Sequence, residues 1–200
     1  MKLPLVIGLA FLAAAATAQE RPAASARVDP WTYEGGVDQA KAAIAQCLER
    51  AESDPAITPA SCVRAAFLTC ENEHGNMSQR DLNECAFFSQ QAWESRLALT
   101  KSRLMAAKIH PLMGMNPEPR KRSLSESDRR WEDWNKADCE MQTGGSVGGT
   151  MHRYQLAICL SDHAAHRALE LDGLLFWWGK LFELPEEKPT RPYEAPRESL

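Results

Sequence analysis

The chain has 200 residues, 44% of them hydrophobic and 25% charged, with six cysteines. That composition suits one modest globular domain and excludes both a polytopic membrane protein and an intrinsically disordered chain. A formal net charge of −4 offers no electrostatic footprint for a polyanion, so nucleic acid is not an expected partner.

Residues 1–18 read as a cleavable signal peptide. Met1-Lys2 is a short positive start, Leu3 to Ala16 is an almost unbroken apolar run, and Ala16-Thr17-Ala18 is the small-x-small pattern of a cleavage site. Cleavage after Ala18 predicts a periplasmic or secreted protein with no membrane span in its mature form. No cysteine follows the small residues to carry a lipid. In an oxidising compartment an even cysteine count reads first as disulfides. Residues 19–36, with Pro22, Pro30, Gly35 and Gly36, read as a flexible lead-in.

Five segments then read as helices, at about 37–53, 59–73, 79–108, 124–142 and 150–175. Thr58 before Pro59, Ser78 with Asp81, and Ser123 with Glu126 place a side-chain oxygen where first-turn amides lack partners. In the third segment Leu82, Cys85, Ser89, Trp93, Leu97, Thr100 and Leu104 recur at helical spacing and predict its core face. Trp131, Trp134, Asp138 and Met141 do the same in the fourth. No strand-like alternation of useful length occurs, so the expected fold is all-α, an antiparallel bundle of helical hairpins over residues 37–175. Residues 109–123, with Pro111, Pro117, Pro119 and the basic run Arg120-Lys121-Arg122, read as a long loop. Residues 176–200 read as an aromatic, then proline-rich, tail.

Six cysteines allow fifteen pairings, and hairpin geometry ranks them. Residues equally far from a turn lie side by side. Cys47 and Cys62 flank Ser53-Asp54-Pro55, Cys70 and Cys85 flank Gly75-Asn76, and Cys139 and Cys159 flank the glycine-rich stretch Gly144 to Gly149. The three sequential pairs are the expected bridges, each contributing about 3 kcal/mol in the chain-entropy model. The absence of Cys-x-x-Cys removes the usual zinc and thioredoxin spacings.

The stretch from Cys70 to Cys85, ending Met77-Ser78-Gln79-Arg80-Asp81-Leu82-Asn83-Glu84-Cys85-Ala86, resembles the first cysteine segment of the LprI-like lysozyme inhibitor family of small exported bacterial proteins. The second half is similar too. It runs from Trp131-Glu132-Asp133-Trp134-Asn135-Lys136-Ala137-Asp138-Cys139-Glu140 through Gly144-Gly145-Ser146 to Cys159-Leu160, Arg167 and Leu171. The resemblance covers about residues 44–172. It departs at Asn135-Lys136, where the family usually shows Arg-Asp, and at His163-Ala164, where a Leu-Thr pair usually follows Cys-Leu. It implies a helical fold and a protein that works by binding, with lysozyme, or another envelope protein, as the partner.

For an inhibitor, the expected contact loop lies between Cys139 and Cys159. Gly144, Gly145 and Ser146 let backbone approach a partner closely, and His152 and Arg153 reach towards the carboxylates of a lysozyme cleft. The alternative is an ordinary turn in a scaffold or interaction module. Phe176, Trp177, Trp178 and Phe182 form an apolar patch that either folds back on the bundle, with Trp31 beside it, or faces a partner. A third reading is a periplasmic copper binder, using His163 and His166 near Cys159, or His110 with Met113 and Met115. No cofactor is expected. No serine-nucleophile motif, phosphate loop or His-Glu-x-x-His occurs, so no enzyme activity is expected either.

Overall fold

The computed structural model describes residues 35–185. The expected signal peptide, most of the 19–36 stretch, Trp31 and the chain beyond Pro185 lie outside the described residues. In chain order the elements are α1 (Gly36–Ser53), a 3-10 turn (Pro59–Cys62), α2 (Ala65–His74), α3 (Gln79–Met105) and β1 (Lys108–Ile109). After these come α4 (Glu118–Thr143), a second 3-10 turn (Gly144–Ser146), α5 (His152–Trp178) and β2 (Phe182–Glu183).

One of the three expected caps forms. The Ser78 hydroxyl accepts the Asp81 N–H at 3.3 Å, and the Asp81 carboxylate accepts the Ser78 N–H at 2.8 Å, a complete capping box. The Ser78 N–H first, and then the Ser78 hydroxyl, which also donates to that carboxylate at 2.8 Å, hold the Asp81 carboxyl below its ordinary range. Thr58 makes no side-chain cap and opens only the 3-10 turn, so the segment expected as one helix from 59 splits in two. Ser123 lies inside α4, where its hydroxyl donates to Pro119 O at 3.2 Å. That helix starts at Glu118 because Pro119 falls in the first turn, where the missing N–H has no intrahelical partner to lose. The loop expected over 109–123 shrinks accordingly.

The helices alternate in direction, and α3 is central. Bridges fasten the sequential pairs: Cys47–Cys62 ties α1 to the turn before α2, Cys70–Cys85 ties α2 to α3, and Cys139–Cys159 ties α4 to α5. This is the pairing that hairpin symmetry predicts. The largest helix contact, however, joins α3 to α5, and these two run parallel. Ser89 and Ser161 hydroxyls meet at 3.0 Å, and further along both helices Asp172 accepts from Arg96 Nη2 at 2.7 Å and from Thr100 at 2.8 Å. α1 lies parallel to α3 as well: Gly36 sits beside Phe88, and further along Lys41 and Ile44 line one cleft with Ala92, Ser95 and Leu99.

The core follows the stripe read on α3, with Cys85, Ser89, Trp93, Leu97, Thr100 and Leu104 all buried. Trp93 is fully enclosed, and its indole N–H donates to Val63 O at 2.9 Å. Gly36 is not part of a free lead-in. It is buried in the first turn of α1, where an added Cβ would lie 2.4 Å from the Phe88 ring.

The stripe read on α4 is wrong in part. Trp134 is 52% exposed and Met141 72%, while Leu124, Asp128, Cys139 and Thr143 are buried and Trp131 is half-buried against the core. α4 is an outer helix that packs mainly on α5, so its inward face is narrow and partly charged. There Lys101 pairs with Asp128 and with Glu132, and Arg167 donates to Glu170 at 2.7 Å and to Ser127 at 3.2 Å. Burial alone would lower the Lys101 ammonium; hydrogen bonds to Asp128 and Glu132 outweigh it and hold the group above its ordinary value.

Two-residue strands do form, where none was expected. α3 ends at Met105 rather than near 108, and Lys108 and Ile109 pair antiparallel with Glu183 and Phe182. A segment that short carries no alternation to read. The pairing folds the C-terminal aromatics back: α5 runs on to Trp178, and Trp178 and Phe182 are buried with ring centroids 5.4 Å apart. Arg120 stacks over Phe182 at 5.5 Å. Phe176 is half-buried, and Trp177, 56% exposed, carries Lys180 over its ring at 4.6 Å.

Candidate functional site: a stapled helix end

Because α1, α3 and α5 run parallel, the N-termini of α3 and α5 reach the same end of the bundle, together with the α4–α5 connection. That connection is drawn in at its base by Cys139–Cys159 and by the Thr143 hydroxyl, which donates to Cys139 O at 2.7 Å. Beyond it Gly144, Gly145, Gly148 and Gly149 are exposed, and Val147 presents 71% of its surface. Gly148 has φ 84, a left-handed backbone that favours glycine. Ser146 donates to Thr143 O at 2.8 Å and meets His152 Nδ1 at 3.4 Å. His152 is therefore half-buried and tied to the loop, while Arg153, one residue on, is exposed.

Arg153 lines a groove of about 570 Å³ between α3 and α5, shared with Arg80, Phe87, Leu156 and Leu160. Arg80 donates to Glu84 at 2.8 Å, which raises its already high pKa, and stays outward. The groove thus has an apolar floor and a polar rim, with an arginine from each helix, Arg80 being paired with Glu84 on the same rim. Sequence reading found Arg153 but missed Arg80, Phe87, Leu156 and Leu160, because α3 and α5 are distant in the chain and their parallel contact leaves no local signature. The one available hint was Phe87, an aromatic off the core stripe of α3 and 37% exposed.

A second constellation lies further along the same hairpin. His163 stacks on Trp134 with centroids 4.8 Å apart and planes 10° apart. Its Nδ1 is 2.8 Å from Asn135 Oδ1 and 3.7 Å from Cys139 Sγ, and its Nε2 is 3.5 Å from Asp138 Oδ2. Asn135 and His163, two positions where the chain departs from the resembled pattern, therefore face each other. His166 points outward and does not join the cluster. His110, Met113 and Met115 occupy the loop before α4; His110 Nδ1 accepts the Leu112 N–H at 3.2 Å, and Met113 and Met115 are exposed. A groove of about 480 Å³ between α1 and α3 has its Arg96 engaged by Asp172 and is lined by both acids and arginines, so it shows no net preference.

The family model described as lysozyme inhibitor LprI matches residues 70–171, from the second cysteine bridge to the inner face of α5. No curated protein and no solved structure matches the chain. The match spans both stapled hairpins that shape the helix end, and over about half its length this chain belongs to the LprI lysozyme inhibitor family.

Proposed function

We propose that this is an exported protein that inhibits a lysozyme, docking through the end of the bundle formed by the Gly144–Gly149 loop and the Arg80–Arg153 groove. The family match over residues 70–171 carries this reading. Three cystines and an N-terminal leader pattern support an oxidising, periplasmic location. Among the described residues no helix is long and apolar enough to cross a membrane.

The physical case has two scales. A net charge of −4 attracts a basic enzyme at long range. At contact, Arg153 offers a cation to the paired carboxylates that a glycosidase cleft presents, Arg80 being shared with Glu84, while Phe87, Leu156 and Leu160 supply apolar surface. The bridge at the base of the loop limits the ordering that docking would otherwise require.

Turbidity clearance of cell walls by a lysozyme, with and without the purified protein, tests the activity, and calorimetry with Arg80→Ala and Arg153→Ala tests the surface. The expected result is slowed clearance, with binding weakened at least tenfold in each variant. Unchanged clearance by several lysozyme types refutes inhibition; intact binding by both variants moves the contact elsewhere.

A further inference from the structure

We propose that Cys139, Cys159 and His163, in the dithiol state of the bridge, form a binding site for one thiophilic divalent cation of the zinc class. The site is interchangeable with the disulfide seen in the structure and does not depend on the lysozyme reading.

The geometry is already close to what such an ion needs. The two sulfurs and one ring nitrogen lie within 4.8 Å of one another. A tetrahedral zinc with metal–sulfur and metal–nitrogen bonds of about 2.3 and 2.0 Å separates sulfur from nitrogen by about 3.6 Å. His163 Nδ1 is 3.7 Å from Cys139 Sγ, so this pair needs no rearrangement. The sulfurs, 2.03 Å apart as a cystine, must part to about 3.8 Å once reduced.

The surroundings are those of a metal-ligating histidine. Asp138 Oδ2 stands 3.5 Å from Nε2, close enough to take its proton when Nδ1 exchanges Asn135 for the cation, and Trp134 stacks on the ring. Asn135 Oδ1, 3.9 Å from Cys139 Sγ and 2.8 Å from Nδ1, is placed as a fourth donor. The spacing recurs once: Cys70, His74 and Cys85 make a second such cluster, with histidine again four residues after a bridging cysteine. Among the described residues no histidine or carboxylate joins Cys47 and Cys62 in this way.

Access favours the 139–159 bridge. Cys159 is half-buried, whereas the other five cysteines are buried. A small external dithiol reaches its sulfur, forms a mixed disulfide there, and expels Cys139 as thiolate. The second thiol of the reagent resolves the mixed disulfide, leaving the protein dithiol and the cyclic disulfide of the reagent. The two electrons come from the dithiol, and binding of the cation displaces the remaining thiol protons to solvent.

The test is site-resolved alkylation. The full chain is reduced under anaerobic conditions, offered zinc chloride, treated with iodoacetamide, and mapped by mass spectrometry of its peptides. Zinc is expected to slow modification of Cys139 and Cys159 more than tenfold while leaving Cys47 and Cys62 unchanged. His163→Ala abolishes that protection. Asp138→Asn, which keeps all three ligands, weakens zinc affinity about 10- to 100-fold. No protection in the wild type, whether or not circular dichroism shows the reduced chain still helical, overturns the proposal. So does equal protection at Cys47 and Cys62, or protection that survives His163→Ala.

Discussion

Replacing Trp93 with phenylalanine removes the indole while keeping an aromatic ring, at a position with no solvent exposure. Two effects add. The Val63 carbonyl loses the N–H that reaches it at 2.9 Å, and an unpaired buried acceptor costs about 1–3 kcal/mol. The missing ring leaves a void among α2, α3 and the 3-10 turn, at about 1 kcal/mol or more by analogy with smaller core truncations. Together these predict a loss of about 3 kcal/mol. For a chain of this size that lowers Tm by roughly 6–12 °C. Trp134→Phe is the matched control, because that ring is half in solvent and its removal is expected to shift stability by less than about 1 kcal/mol. Thermal melts at 222 nm, all bridges oxidised, measure both. If Trp134→Phe costs more than Trp93→Phe, the assignment of α3 as the central helix is refuted.

Gly36→Ala places a methyl 2.4 Å from the Phe88 ring and forces α1 away from α3; a loss of about 1–3 kcal/mol in urea titration is expected, and a neutral result contradicts the close approach. Removing the α4–α5 bridge as Cys139→Ser with Cys159→Ser is expected to cost about 3 kcal/mol, measured against the untouched Cys47–Cys62 chain by the same titration. Asp81, held below the ordinary carboxylate range by Ser78, binds a proton more weakly folded than unfolded. Its contribution is therefore complete above about pH 4 and is lost as pH falls through the lower folded value; urea midpoints between pH 2 and 7 should show this acid limb flattened in Asp81→Asn. Lys101 is shifted the other way, so its contribution is complete below its ordinary value and fades only as pH rises past it, a limb that Lys101→Met removes.

The covalent skeleton was readable because a bridge across a hairpin must straddle its turn, and Ser53-Asp54-Pro55, Gly75-Asn76 and the Gly144–Gly149 stretch announce those turns. The core stripe of α3 was readable for a similar reason, since a helix buried along one face repeats its apolar residues at fixed spacing. Trp134 shares helical spacing with Trp131, Asp138 and Met141, but spacing does not distinguish a core face from a partly exposed one, and on the outer helix α4 its ring covers His163 of α5. The β1–β2 pairing and the Arg80–Arg153 groove were invisible because each joins segments far apart in sequence with no local pattern between them. Of the loop proposed for contact, Gly144, Gly145 and Arg153 are exposed, while Ser146 and His152 are engaged with each other.

The ends of the family match fall at awkward places for anyone trimming this protein. A fragment cut at residues 70 and 171 would strip Val63 from the Trp93 indole, discard α1 and its cystine, and stop one residue short of Asp172, the carboxylate that clasps Arg96 and Thr100. It would also sever the strand that seats Phe182 beside Trp178. A fragment that keeps these contacts has to include residues from Gly36 to Glu183, well outside the bounds of the match.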